Sequence, residues 1–340
     1  MPDPVAEDVA RAVGLAEGPR GVEAVLAALA RLEPVSVRRL ALAADLPVPL
    51  VAAVCNELRR SGHVSETRPV QFTLEGRRRF ATGPVLSVTC PACGGRGIEL
   101  PSAVARLRRG LAAVAAAAPP PRVELDQCHC TPKTKLRRVL AMHAAAAIDG
   151  RRILLLGDDD LISITLLRFV RQLGGRIEEL VVVDADERVL TFVEEELAGA
   201  PFPFRCVQHD LREPLGGTFD TVVTDPPFTA AGATLFVERA AAVLAGPGAD
   251  LFLSFGSRRP GVQFAVQRTI AELGLEIRSL TRDFNEYVGA GVLGGTSHLY
   301  HLKPAPAAPV DDGLYTEARR RTDATPSTSR PPATRSAVHP

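Results

Sequence analysis

Ile153-Leu154-Leu155-Leu156-Gly157-Asp158-Asp159-Asp160 is the stretch that decides the fold. A short apolar run stops at one glycine, three carboxylates follow, and the pattern then turns helical over residues Leu161–Leu173. The same alternation repeats down the chain. Apolar runs recur at Leu180–Val183, Arg205–Val207, Thr221–Thr224, Leu251–Phe255, Ile277–Leu280 and His298–Leu302. Helical patterns lie between most of them, at Glu187–Leu197, Gly232–Leu244 and Val262–Leu273, and a helix over Thr134–Ala147 precedes the first run. Short β-rich runs separated by amphipathic helices imply parallel βαβ units.

The expected fold class is α/β, with a seven-stranded doubly wound sheet. Only a loop separates the last two runs, which predicts an antiparallel hairpin at one edge. That ending matches a class I methyltransferase-like Rossmann domain, placed at residues 131–303. Residues 1–82 read as a winged-helix domain. Helical periods cover Val22–Leu32, Val35–Ala44 and Pro47–Ser61, and His63–Ser65 with Val70–Leu74 alternate like a two-stranded wing tipped by Arg68-Pro69. Residues 83–130 form a cysteine-containing connector. Residues 304–340, rich in Pro, Ala, Ser, Thr and Arg, read as a disordered tail.

A chain of 340 residues with formal net charge +1, 46% hydrophobic and 23% charged, is an ordinary globular composition. No apolar run reaches membrane-spanning length, and no basic stretch with an apolar core opens the chain, so a cytoplasmic protein is expected. Acidic and basic side chains nearly balance over the first 85 residues. That is a poor footprint for phosphate binding, despite Arg59-Arg60 and Arg77-Arg78-Arg79, so DNA contact by the wing stays open. Cys90-Pro91-Ala92-Cys93-Gly94-Gly95 has the look of a zinc knuckle. With Cys128 and Cys130 of Cys128-His129-Cys130, Cys90 and Cys93 could complete a structural zinc site; two unrelated thiol clusters are the alternative.

In an open parallel sheet, ligands lie beyond the carboxyl ends of the strands. Four successive ends are acidic here: Gly157-Asp158-Asp159-Asp160, Asp184-Ala185-Asp186, His209-Asp210 and Asp225-Pro226-Pro227-Phe228. Gly157, Asp158, Asp184, Asp186 and Asp210 are the candidate cofactor residues, with Asp184 on the ribose hydroxyls and Asp210 on an adenine amine. S-adenosylmethionine would meet the three aspartates with a carboxylate of its own, whereas decarboxylated S-adenosylmethionine ends in an ammonium group. One ammonium–carboxylate contact at about 4 Å is worth about 4 kcal/mol at an effective dielectric of ~20, before desolvation is subtracted. Asp160 is the one expected to cap the following helix.

Asp225-Pro226-Pro227-Phe228 fixes an acceptor carboxylate and a carbonyl beside an aromatic ring, an arrangement for an amine nucleophile. Arg282-Asp283-Phe284-Asn285-Glu286-Tyr287 follows the sixth run. Its Asp283, Asn285, Glu286 and Tyr287, with Asp160, Asp225, Pro226, Pro227 and Phe228, are candidates for holding a polycationic substrate.

Together these motifs resemble the branched-chain polyamine synthases of the N4-bis(aminopropyl)spermidine synthase family. The resemblance is carried by Cys90-Pro91-Ala92-Cys93-Gly94-Gly95-Arg96-Gly97, Asp126-Gln127, Thr131-Pro132, Arg137-Arg138, Leu154–Leu161, His209–Leu215, Thr224–Pro227 and Arg282–Tyr287. It implies a winged-helix domain before a Rossmann domain. It also implies transfer of aminopropyl groups from decarboxylated S-adenosylmethionine to the secondary amine of spermidine, with release of methylthioadenosine. By the same resemblance an aspartate of the triple is the acid/base group: Asp159 first, Asp158 second, with Asp225 beside the amine. Lys133 stands where the family carries an acidic residue, and the Cys128-His129-Cys130 cluster is foreign to it. A homodimer is the expected assembly. An S-adenosylmethionine-dependent N-methyltransferase, acting on nucleic acid, and a non-catalytic polyamine-sensing DNA-binding regulator are the competing readings.

Overall fold

The computed structural model describes residues 3–81, 90–257, 261–289 and 295–305. The sheet carries the site. Its strands are β1 (Arg152–Leu156), β2 (Glu179–Asp184), β3 (Phe204–Gln208), β4 (Thr221–Thr224), β5 (Asp250–Phe255), β6 (Leu275–Glu286) and β7 (Thr296–Pro304). They lie in the order β3-β2-β1-β4-β5-β7-β6. The first five are parallel, and β7 runs antiparallel between β5 and β6. The chain order reverses between β1 and β4, which opens a crevice beyond their carboxyl ends. The expected α/β class, seven strands and terminal hairpin are all present.

Both faces of the sheet are covered, which is why β1 is apolar at consecutive positions. Ile153 and Leu155 join one core with α7 (Pro132–Ala144), α8 (Ile162–Leu173) and α9 (Glu187–Leu197). Leu154 and Leu156 join the other core with α10 (Ala230–Ala242) and α11 (Val262–Glu272). The period of two assigns alternate side chains of one strand to opposite layers.

The N-terminal helices are α1 (Pro4–Val13), α2 (Gly18–Leu32), α3 (Val37–Ala44), α4 (Val48–Arg60) and α5 (Leu74–Phe80), and they keep a core of their own. Among the described residues of the N-terminal part, antiparallel pairing takes the form of isolated bridges, Val64 with Phe72 and Val35 with Val70. Leu74 begins a helix and does not end a strand: Thr73 caps α5 and Glu75 sits in its first turn, so Arg77, Arg78 and Arg79 lie on that helix. A further helix, α6 (Ala105–Ala117), precedes α7. Pro304 closes β7, so the expected tail begins later, and from residue 306 it lies outside the described residues, as do connector residues 83–89. Among the described residues no single helix is long and apolar enough to cross a membrane.

Candidate active site

A cavity of about 610 Å³ opens at the reversal of strand order, within the usual range for small-molecule sites. Gly157, Asp159, Asp184, Asp210, Asp225 and Tyr287 reach its wall, together with Pro226, Pro227 and Phe228. Residues 123–128 form its other wall, and Asp126 Oδ2 accepts a hydrogen bond from the Phe228 amide at 2.8 Å.

The three consecutive aspartates are sorted by a tight turn. Gly157 adopts φ +74°, and Leu161 sits at φ +55° just before α8. A left-handed leucine costs about 1–2 kcal/mol, and the Asp158 carboxylate secures the turn by capping α8. Its oxygens accept from the amides of Ile162 (2.7 Å) and Ser163 (3.3 Å) and from the Ser163 hydroxyl. Asp158, and not Asp160, is therefore the cap, fully buried and outside the cavity wall. Asp160 is also buried. It accepts from Arg138 Nη1 (2.6 Å) and the Cys130 amide. Arg138 and Lys135 outweigh burial and hold its carboxyl well below the ordinary range.

Asp159 is the member of the triple that faces the cavity, half-buried, with one oxygen accepting from the Cys128 amide at 3.2 Å. Burial, followed by the charges of Asp160, Asp225 and Asp184, pushes it well above the usual carboxylate range. Asp225 shares this environment. Its Oδ2 accepts from Arg138 Nη2 (2.6 Å) and the Tyr287 hydroxyl (2.7 Å). Burial pushes its pKa up to about 8, with Asp160 adding to the rise against Arg138. The same cluster of charges thus lowers Asp160 and raises Asp225.

The cofactor candidates divide as well. Asp184 faces the cavity while accepting from the amides of Asp158 (2.9 Å) and Asp186 (2.8 Å). Asp210 lines the wall in a bidentate pair with Arg212, which helps to lower it to about 2. Asp186 is not on the wall, because its carboxylate caps α9 and is bound by Arg188 at 2.6 Å. Of Asp283, Asn285, Glu286 and Tyr287 only Tyr287 reaches the cavity. Asn285 is buried and accepts from Arg138 (2.8 Å), and Glu286 accepts from Arg96 (2.8 Å) and Arg137 (3.5 Å). Asp283 accepts from the Thr296 hydroxyl at 2.8 Å.

Residues 107–319 match the description of the branched-chain polyamine synthase A C-terminal domain. This chain belongs to the branched-chain polyamine synthase family. N(4)-bis(aminopropyl)spermidine synthase of Thermococcus kodakarensis is 32% identical over 275 residues, 77% of this chain and 76% of that protein. The synthase of the same name from Thermus thermophilus is 31% identical over 304 residues, 85% of this chain and 83% of its own length. The crystal structure of branched-chain polyamine synthase from Thermus thermophilus, in complex with N4-aminopropylspermidine and 5'-methylthioadenosine, superposes with a TM-score of 0.71. It has 27% identity and covers 90% of this chain and 93% of that one.

In this family member the expected zinc site is not assembled. Among the described residues no group of three or more His, Cys, Asp or Glu side chains is gathered to hold a metal ion. Burial and neighbouring aspartates push Cys128 up to about 12 and Cys130 well above the ordinary thiol range. Backbone amides, led by that of Gly97, lower Cys93 instead, while Cys90 is exposed.

Sequence reading assigned no role to Lys135 and Arg138, buried cations one turn apart on α7 that face the aspartates. The signal was available. Two cations spaced i, i+3 among the apolar positions of a helix must find buried anions.

Proposed function

We propose that this cleft catalyses aminopropyl transfer from decarboxylated S-adenosylmethionine to the secondary amine of spermidine or a similar polyamine, releasing methylthioadenosine. One observation carries the reading: among the described residues six carboxyl side chains line the cavity against a single arginine, Arg212, which is already paired with Asp210. Such a wall favours cationic ligands and disfavours a carboxylate-bearing cofactor. The Thermus thermophilus relative, crystallised with an aminopropylated polyamine and methylthioadenosine, supports the same assignment.

In this reading Asp184 and Asp210 hold the nucleoside, and the Asp225-Pro226-Pro227-Phe228 turn holds the acceptor amine. Asp159 takes the amine proton, for which its raised proton affinity suits it. The freed lone pair attacks the carbon next to sulfur, and the carbon–sulfur bonding pair leaves on sulfur as neutral methylthioadenosine. No metal ion is called for by this step. Incubation with decarboxylated S-adenosylmethionine and spermidine is expected to release methylthioadenosine. Turnover of ordinary S-adenosylmethionine with none of the decarboxylated form would overturn the proposal in favour of a methyltransferase.

The same proposal takes the N-terminal module as a winged helix that serves as scaffold and not as a DNA reader. Three of its arginines are paired locally: Arg79 with Asp3, Arg77 with Glu33 and Arg60 with Glu57. A sequence-specific gel shift at physiological salt would count against this. The exposed apolar side chains of Ile277 and Leu280 on edge strand β6, and of Phe264 on α11, support a homodimer. Light scattering of a monomer at micromolar concentration would remove that part.

A further inference from the structure

We propose that Arg138 is the positioning residue of this active site. It assembles the amine-binding wall before either substrate arrives. The inference rests on the functional reading above and extends it to a residue outside the cavity wall.

Four separate segments meet at one guanidinium. From α7, Arg138 donates through Nη1 to Asp160 after β1 (2.6 Å) and through Nη2 to Asp225 after β4 (2.6 Å). It also donates through Nε to Asn285 (2.8 Å) and through Nη2 to the Tyr287 hydroxyl (3.1 Å), both at the end of the chain's sixth strand. Its side chain is 2% exposed, so an orphaned charge here would be costly and the contacts are obligatory. A planar fork can satisfy this set, whereas a lysine ammonium lacks the geometry.

The contacts converge on Asp225. Asn285 donates to Ser297 (2.9 Å), Ser297 lies 2.8 Å from the Tyr287 hydroxyl, and Tyr287 donates to the Asp225 oxygen that Arg138 also holds. With Oδ2 fixed from two directions, the carboxyl plane is set. Asp225 Oδ1 is buried without a hydrogen-bond partner, and the charge of Asp160 adds to the rise in Asp225 proton affinity that burial causes. The other titratable groups that face this centre are Asp159 on the same loop as Asp160, Asp184 from β2, Lys135 from α7 and Cys130 from the segment before it.

The roles of charge and fork separate by mutation. R138K keeps a cation and loses the fork. Its kcat is expected to fall by roughly 10²-fold, the cost of misplacing a reacting group by about 1 Å, with KM for the nucleoside substrate little changed. R138M removes the cation, so Asp225 should hold its proton more tightly. D160N removes a facing anion, so Asp225 should release its proton more easily. Carbon-13 NMR of aspartate-labelled protein, assigned with D225N, reads both directly. The Asp225 midpoint is expected to rise by about one unit or more in R138M and to fall in D160N.

A merely structural arginine would alter stability without moving that midpoint when it is replaced. An unmoved midpoint in the variants that fold, or R138K turning over at the wild-type rate, overturns the proposal. If R138M does not fold, R138K still decides it through its kcat and KM. Wild-type protein that releases no methylthioadenosine defeats the functional reading instead, and the Asp225 titration still judges Arg138.

Discussion

Asp158, Asp159 and Asp160 are one residue type in tandem with three tasks: helix cap, cavity carboxyl and buried counter-ion. D159N is expected to lower kcat by roughly 10²–10⁴-fold, the usual worth of a positioned base, while methylthioadenosine binding measured by calorimetry stays near wild type. Retention of most of the turnover would move the proton transfer elsewhere. Asp225 makes a prediction about stability. Its pKa is about 8 in the folded chain, whereas an unfolded aspartate titrates near 3.9. Between those values the folded state holds a proton that the unfolded state has lost, so this group's contribution to stability declines as pH rises from about 4 to about 8. D225N removes that slope. Urea unfolding should therefore find D225N gaining on the wild type by roughly 1 kcal/mol or more between pH 5 and pH 8. A gap that does not change with pH would refute the raised proton affinity of Asp225.

At the level of elements, α8 depends on the carboxylate that caps it. D158A should destabilise the protein by about 1–3 kcal/mol, through a lost cap and a buried Ser163 hydroxyl left unpaired. The expected signature is a lower urea midpoint at unchanged slope. The elements themselves were largely legible. The apolar runs at β1, β2, β4 and β5 are buried on both faces and leave no competing period, so the sheet could be read from sequence alone. Other features were not. The Val70–Leu74 alternation continues into α5, and only the Thr73 cap shows where the strand-like pattern ends. In β6 the register shifts between Thr281 and Asn285, and Asp283 takes φ +52°. A bulge breaks the period of two. Asn285 is thereby turned into the core, toward Arg138, and Tyr287 becomes the residue of that motif that reaches the cavity. Three adjacent aspartates likewise carry no spacing that says which one turns outward.

For the whole molecule, the cleft stores protons that a cation should expel. Asp159 and Asp225 are both raised, chiefly by burial and next by neighbouring carboxylates. An ammonium group placed among them favours the charged forms and lowers both pKa values, so polyamine binding must release protons at neutral pH. By linkage, the affinity for spermidine should rise as pH increases from about 6 to about 8, where Asp225 loses its proton unaided. Above that range the gain ends, and affinity then declines as the amines of the ligand, near pKa 10, lose their own charge. Methylthioadenosine is uncharged and has no reason to expel those protons. Calorimetric titration in buffers of differing ionisation enthalpy distinguishes the two ligands. The spermidine enthalpy at pH 7 should vary with the buffer, with the sign of proton release, and the methylthioadenosine enthalpy should not. No buffer dependence for spermidine would mean that the carboxyls are already ionised in the empty cleft, and the proton affinity assigned to Asp225 would then be wrong. Equal dependence for both ligands would mean that the protons leave for a reason other than the ligand's positive charge.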